Sequence, residues 1–324
     1  MSFPNPNISD IIATTIEFRS PDIAENVLDN NAGLAYIKAN NRVKMISGGS
    51  SILETLNFAE NANGIWYSGS DLLPVSAQDV ISGASFQLSQ LAVPVVVNGL
   101  EKLQNAGREQ IIDLVDSRLN VAETTMTNLV SRAIYSDGTT FGGKQLPGLS
   151  VLVPTSPTSG TVGGINRATY PFWQPQLVAP GAGVITASNI NTYMNDMWAK
   201  TQCGKRHPKL ILADNAMWKL YEAYLQERTR FTGAKMGSLG FPTLEFMNAD
   251  VVLDGGIGGN APANTMLFLN LDYLHYRPHR DRNMVPLNPG RRYAFNQDVE
   301  AQILVFAGAF TISGSKFQGR LHNN

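Results

Sequence analysis

Five arginines crowd one short stretch, Arg277, Arg280, Arg282, Arg291 and Arg292, with Asp281 as the only acid among them. A guanidinium is a planar fork that pairs equally well with phosphates and carboxylates. The group could therefore grip a DNA backbone or the acids of a neighbouring chain. It lacks the interleaved aromatics of single-strand binders, so contact with another protein chain is the favoured reading.

The other reactive side chains are spaced poorly for chemistry. Cys203 and His207, and His275 and His279, have metal-like separations. On a strand, though, positions 275 and 279 stand about 13 Å apart, and Pro278 argues against a helix. Structural or surface histidines are expected, with no metal. Ser313-x-x-Lys316 resembles a nucleophile pair that needs a helix to unite it, but Gly314 interrupts an extended run. "GGKQ" (142–145) has Gln145 where a phosphate loop needs a hydroxyl. "GGIGG" (255–259) lacks a following lysine. Glu109, Asp113 and Asp116 share part of one helix face and read as a solvated surface. No cofactor and no catalytic centre is expected.

Composition agrees. Charged residues make up 16% of the 324 residues and the formal net charge is -1. A typical domain carries about 25% charged residues, so much of this surface is expected to face something other than water. Cys203 is the only cysteine, which excludes an internal disulfide and points to synthesis in a reducing compartment. The opening "MSFPNPNISD" is unlike a signal peptide, and no apolar run approaches the roughly 18 residues of a membrane span.

The elements that must position these groups follow in order. Residues 1–48 are polar and read as an arm, with short helical signals after Ser9 and from Pro21 to Leu28. Residues 49–97 read as a β-hairpin, with Ile52, Leu56 and Phe58 before the turn "NANG" (61–64) and Trp66, Tyr67, Phe86 and Leu88 after it. Ile111, Val115, Leu119, Ala122, Met126, Leu129 and Ala133 form one apolar stripe. They predict a helix over 99–135, whose part from Arg108 to Tyr135 would be about 42 Å long. Residues 137–185 read as loop. Helices at 188–202 and 215–227 and strands at 208–214 and 249–255 make an α+β block. Extended runs at 265–277, where Leu267, Leu269, Leu271, Tyr273 and His275 share a face, and at 299–317 close the chain.

Within the loop, "SGTVGGINRATYPFWQPQ" (159–176) combines Gly160, Gly163 and Gly164, suited to tight turns, with Pro171 and Pro175, which stiffen the exit. Tyr170, Phe172 and Trp173 would anchor it, either inside their own domain or against a neighbour's arm.

"SRAIYSDGTTFGGKQLPGL" (131–149), "GTVGGINRATYPFWQ" (160–174) and the closing "VFAGAFTISGSKFQGRL", in this order of elements, resemble the major capsid protein of tailed bacteriophages, of the Hong Kong 97-type capsid fold. The resemblance implies an α+β chain with an N-terminal arm (1–48), an extended hairpin or E-loop (49–97), a peripheral domain (98–184 and 265–324) with its spine helix, and an axial domain (185–264). It implies no enzyme. It implies a subunit that builds hexamers and pentamers of an icosahedral head around double-stranded DNA, assembled in the host cytoplasm and located in the virion. Scaffolding protein, portal and a decoration protein are the implied partners besides itself, with no membrane. Phe58, Trp66, Tyr67, Trp173 and the five arginines are the expected contacts between subunits. Some members of the family weld their shells with a hairpin lysine. No lysine lies between Lys44 and Lys102 here, so no isopeptide cross-link is expected. An encapsulin-type nanocompartment shell and an intracellular α+β enzyme are the alternative readings.

Overall fold

The computed structural model describes residues 32–98, 108–181, 183–226, 243–254, 260–287 and 299–323. The helical signals expected within residues 1–31 and the arginines at 291 and 292 lie outside the described residues.

The chain enters through helix α1 (Ala32–Ala39). Residues 42–46 then run parallel to a later strand, bonding through Lys44 N–H to the Tyr276 carbonyl at 2.9 Å and Ile46 N–H to the Pro278 carbonyl at 3.0 Å. Strands β1 (Ile52–Asn57) and β2 (Ile81–Phe86) pair antiparallel as an isolated two-stranded hairpin. Strand β3 (Ser89–Asn98), expected inside the hairpin, instead pairs with β12 (Val299–Ile312). β12 also pairs with β11 (Leu274–Pro286), giving a three-stranded sheet ordered β11-β12-β3. Both edge strands carry a proline, Pro278 and Pro94, where a missing N–H is tolerated.

Helix α2 (Arg108–Ile134) lies against β3 and spans 27 residues, about 40 Å. Of its predicted stripe, Leu119, Ala122, Met126 and Ala133 are buried, joined by Val130 and Ile134. A loop region follows with two four-residue helical turns (Thr140–Gly143 and Leu149–Leu152). It then forms a small hairpin of β4 (Thr161–Val162) and β5 (Ile165–Asn166) and ends in strand β6 (Gln176–Val178).

The α+β block holds α3 (Ile190–Thr201), β7 (Leu210–Ala213), α4 (Asn215–Gln226), β8 (Thr243–Phe246), β9 (Ala249–Leu253) and β10 (Thr265–Leu269). With β6 and β13 (Gly319–His322), the strands form a six-stranded mixed sheet ordered β6-β13-β10-β7-β9-β8. α3 is amphipathic, burying Ile190, Met194, Met197, Trp198 and Thr201 at helical spacing. α4 starts where the Asp214 carboxylate accepts the Met217 N–H at 2.9 Å, a cap of the first turn. The helices cover one sheet face, where Ile211, Val251, Met266, Phe268 and Leu321 sit. The opposite face, with Leu210, Leu212, Val252, Leu267 and Leu269, joins the core built around α2 and the three-stranded sheet. The run at 265–277 is not one strand. Asn270–Tyr273 turns it, with Asn270 accepting from the Asp272 N–H at 3.1 Å, so Leu267 and Leu269 belong to a different sheet from His275.

Candidate inter-subunit surface

Three layers of contact fasten the hairpin root to the body. β1 alternates in burial: Ile52, Glu54 and Leu56 face inward, while Leu53, Thr55 and Asn57 face out. Ala84 and Phe86 supply the inward face of β2 and share one apolar core with α2. The small β4–β5 hairpin is the second layer. Its turn residue Gly163 accepts the Ser85 N–H at 2.9 Å and presses so close to Ala84 that a Cβ there would lie 2.7 Å from the Ala84 Cβ. Gly163 and Gly164 both have positive φ, 61° and 81°, the conformation that two consecutive glycines allow. The third layer is aromatic: Phe58 stacks on Phe172 with ring centroids 5.7 Å apart.

Inside this root sits a polar cluster. The Glu54 carboxylate accepts from Arg277 Nε at 3.1 Å, from Arg277 Nη2, and from the Thr311 hydroxyl at 2.7 Å. Glu54 is 8% exposed. His275, the next inward residue of β11, is 5% exposed and its Nδ1 has no hydrogen-bond partner. Burial, reinforced by the positive charges of Lys44, Arg277 and Arg42 and only partly opposed by Glu54, pushes its pKa down to about 4.

The hairpin's distal segment, residues 58–80, behaves differently. "NANG" does turn, with the Asn61 carbonyl accepting the Gly64 N–H at 3.3 Å, but it lies within the long connection and does not join the strands. Pro74, two glycines and the lack of alternation in 59–80 leave no second strand to pair there. Polar side chains hold the segment together. The Asp71 carboxylate accepts the Ser68 N–H at 2.9 Å, the Ser76 hydroxyl donates to Asn63 Oδ1 at 3.0 Å, and Asn63 Nδ2 donates to the Ser76 carbonyl. The apolar side chains point out: Trp66 is 104% exposed, Leu72 95% and Val75 93%, with Ile65, Tyr67 and Leu73 also exposed. Polar and apolar side chains alike stand at the surface here, with the polar ones bonded to one another. Contiguous apolar patches of this kind mark docking surfaces.

The expected contact residues therefore separate. Trp66 and Tyr67 are uncovered at the tip. Phe58 is half-buried at the root. Arg280 is exposed, and Arg282 donates to Gln90 Oε1 at 3.0 Å. Two of the expected contact residues are engaged within their own chain. Trp173 is 1% exposed and its indole N–H donates to the Val162 carbonyl at 2.9 Å, so it anchors the loop inside its own chain. Arg277 is bound to Glu54 within the same chain, because strand alternation turns it towards the hairpin root. Sequence reasoning missed Leu72, Leu73 and Val75, whose surroundings of Ser, Gly, Asp and Pro disguise them as an ordinary loop. It also missed Glu54, an acid at an apolar position of β1, which a strict count of alternation would have flagged.

Elsewhere, buried polar groups knit the body. Tyr135, at the end of α2, donates its hydroxyl to Asp254 after β9. Burial holds both groups above their ordinary pKa values, a rise that the tyrosine's hydrogen bond partly offsets at Asp254. Arg167 is 2% exposed and donates to the Val151 and Leu152 carbonyls at 2.9 and 2.7 Å; burial lowers its pKa to about 10. Among the described residues no three His, Cys, Asp or Glu side chains gather as metal ligands, and no helix is long and apolar enough to cross a membrane.

No protein-family model matches the chain, and no curated protein sequence does. Solved structures do. A chain of the cyanophage A-1(L) capsid asymmetric unit matches with a TM-score of 0.65 at 16% identity, over 87% of this chain and 90% of that one. A chain from the capsid of the native GTA particle matches with a TM-score of 0.58 at 12% identity, over 87% and 88%. The SrpI encapsulin complex of Synechococcus elongatus PCC 7942 matches with a TM-score of 0.52 at 11% identity, over 88% and 86%. With likeness of this extent over most of both chains, this chain has the Hong Kong 97-type fold of phage capsid proteins.

Proposed function

We propose that the chain is a major capsid protein, a structural subunit that assembles with copies of itself into the hexamers and pentamers of an icosahedral head around double-stranded DNA. One observation carries the reading: the hairpin tip displays Trp66, Leu72 and Val75 to solvent on a scaffold of satisfied polar bonds. The six apolar side chains of the tip, Ile65, Trp66, Tyr67, Leu72, Leu73 and Val75, are each at least 48% exposed, and an uncovered group of this kind marks a docking surface.

Among the described residues none covers the tip. β1 packs on the body along its whole inward face, and the exposed tip lies beyond it, in residues 59–80. The body has a groove near that root, a cavity of about 290 Å³ lined by Leu91, Leu129, Ala133, Phe141 and Phe306. A tip on one patch and a groove on another make a head-to-tail contact, which closes into rings when the rotation permits. Scaffolding protein and portal during assembly, non-specific DNA contact, and a decoration protein are the further partners this reading implies. The hairpin's lack of lysine supports a shell held without isopeptide cross-links.

The likeness to an encapsulin supports a second reading, a shell around protein cargo. Expression of the chain with sedimentation and electron microscopy of the product tests both. Closed particles support a shell subunit, and their contents, nucleic acid or protein, separate the two readings. A monomer or dimer at every concentration, including with a co-expressed scaffolding protein, overturns both.

A further inference from the structure

The root contacts divide into two kinds. Ile52, Leu56, Ala84 and Phe86 bury apolar surface, an attraction with no preferred direction. Such a face can slide or rock on its partner at little cost. The β1–β2 hairpin shares no strand pairing with the three-stranded sheet beneath it, so no ladder fixes its angle. Two contacts are directional: the Ser85 N–H bond to the Gly163 carbonyl at the edge of β2, and, on the inward face of β1, the Glu54 cluster. Its carboxylate stands at the centre of β1's inward face, between two apolar residues. It is held by donors from two different strands, Arg277 on β11 and Thr311 on β12. Arg277 Nε also lies 3.4 Å from the Thr311 hydroxyl, so the three side chains close on one another.

An ion pair in this position is a poor source of stability, since desolvation consumes most of its attraction, and apolar residues of similar size often serve the fold equally well. Its strength is geometry. A small rotation at the root becomes a large displacement at the tip. Glu54 lies in mid-strand and the tip begins beyond Asn57, so a tilt at the root reaches Trp66, Leu72 and Val75 as a displacement that grows with their distance from it.

We propose that Glu54 is a positioning residue for assembly: with Arg277 and Thr311 it sets the bearing of the hairpin on the body, and through it the place where the tip meets a neighbouring copy. The inference about bearing stands on the single chain. Its consequence for assembly rests on the reading given under Proposed function.

The test uses the full chain. Cys203 is exposed and is the only cysteine, so it serves as the label on the body. Ser70→Cys supplies one at the tip. Spin labels on the pair report the bearing as a distance distribution in dilute, unassembled protein. With Glu54 present, one narrow distribution is expected. Glu54→Gln should broaden it at least twofold. Glu54→Leu with Arg277→Met removes both charges together. It should recover the melting temperature of the parent while the distribution stays broad and the yield of closed particles falls at least tenfold. Recovery of a narrow distribution and of particles by the double apolar variant would show that the cluster merely fills space, and overturns the proposal. So does failure of both variants to fold, which would make Glu54 a stability residue. If the distribution broadens as expected but the parent chain never forms particles, the bearing role stands and the capsid reading fails.

Discussion

The six-stranded sheet and the hairpin tip are both rich in apolar residues, yet the chain treats them oppositely. In β7 and β10 every residue is buried, with Phe268 and Ile211 under α3 and α4 and Leu212 and Leu267 against the α2 side. At the tip, Trp66, Leu72 and Val75 meet no cover from the described residues of their own chain. The sheet is finished by the molecule itself and the tip is not. The hydrophobic effect does not distinguish them, since it is proportional to area removed from water. What differs is which molecule supplies the second surface.

The sharpest way to break this contrast is a matched pair of aromatic truncations. Trp173→Ala should cost about 3–5 kcal/mol of folding stability, the ordinary penalty for emptying a core aromatic site, and should yield little soluble chain. Trp66→Ala should leave the melting temperature of the isolated chain within about 2 °C, since an exposed side chain away from special features changes stability by no more than about 0.5 kcal/mol, yet reduce closed particles strongly. Calorimetry beside particle counting reads both. A large loss of single-chain stability with Trp66→Ala would mean that the tip has a cover on its own molecule.

These two tryptophans also show how much was legible beforehand. Periodicity alone located α2, α3, α4, β7 and β9, because each hides one face or lies wholly inside. The order of elements exposed the fold. It did not settle which aromatics face inward in the loop, because glycine and proline fix turns without stating what packs beneath them. Trp173 is buried by the β4–β5 hairpin, a two-residue pairing too short for any alternation to announce. The end of the hairpin was misplaced for a related reason. β3 alternates as β1 does, and only its partner, β12 from the far end of the chain, assigns it to the body. Arg277 looked like one of a surface group. Its inward turn depends on Glu54, far away in sequence, and no local pattern could supply that.

Acid offers a second, smaller probe of root against tip. His275 is buried beside Glu54 with its pKa lowered to about 4 from an ordinary value of 6.5. The unfolded chain therefore binds a proton first as pH falls. Stability contributed by neutral His275 is fully present above about pH 6.5 and declines down to about pH 4, where the loss reaches about 3 kcal/mol. The tip segment 58–80 contains no histidine and should follow no such profile. Denaturant melts at pH 7 and pH 4.5, on the parent and on His275→Gln, should differ mainly in this slope. Equal acid sensitivity in the two proteins would mean that His275 takes up its proton as readily in the fold as in the unfolded chain.

The finest test compares two neighbouring glycines, since both turn the same loop but only one touches the hairpin. Gly163 and Gly164 each adopt positive φ, so alanine at either should cost about 1–2 kcal/mol for the left-handed backbone. At Gly164 nothing lies within 4 Å of the added methyl, and the cost should end there. At Gly163 the methyl meets Ala84 at 2.7 Å and Phe86 at 3.3 Å, so the hairpin root must lift. Overpacking of this kind adds about 1–3 kcal/mol, and it should also increase amide exchange at Ser85, whose N–H bonds the Gly163 carbonyl. Equal costs at the two positions, with Ser85 exchange unchanged, would mean that the hairpin root rests on its apolar face alone and that the β4–β5 turn does not support it.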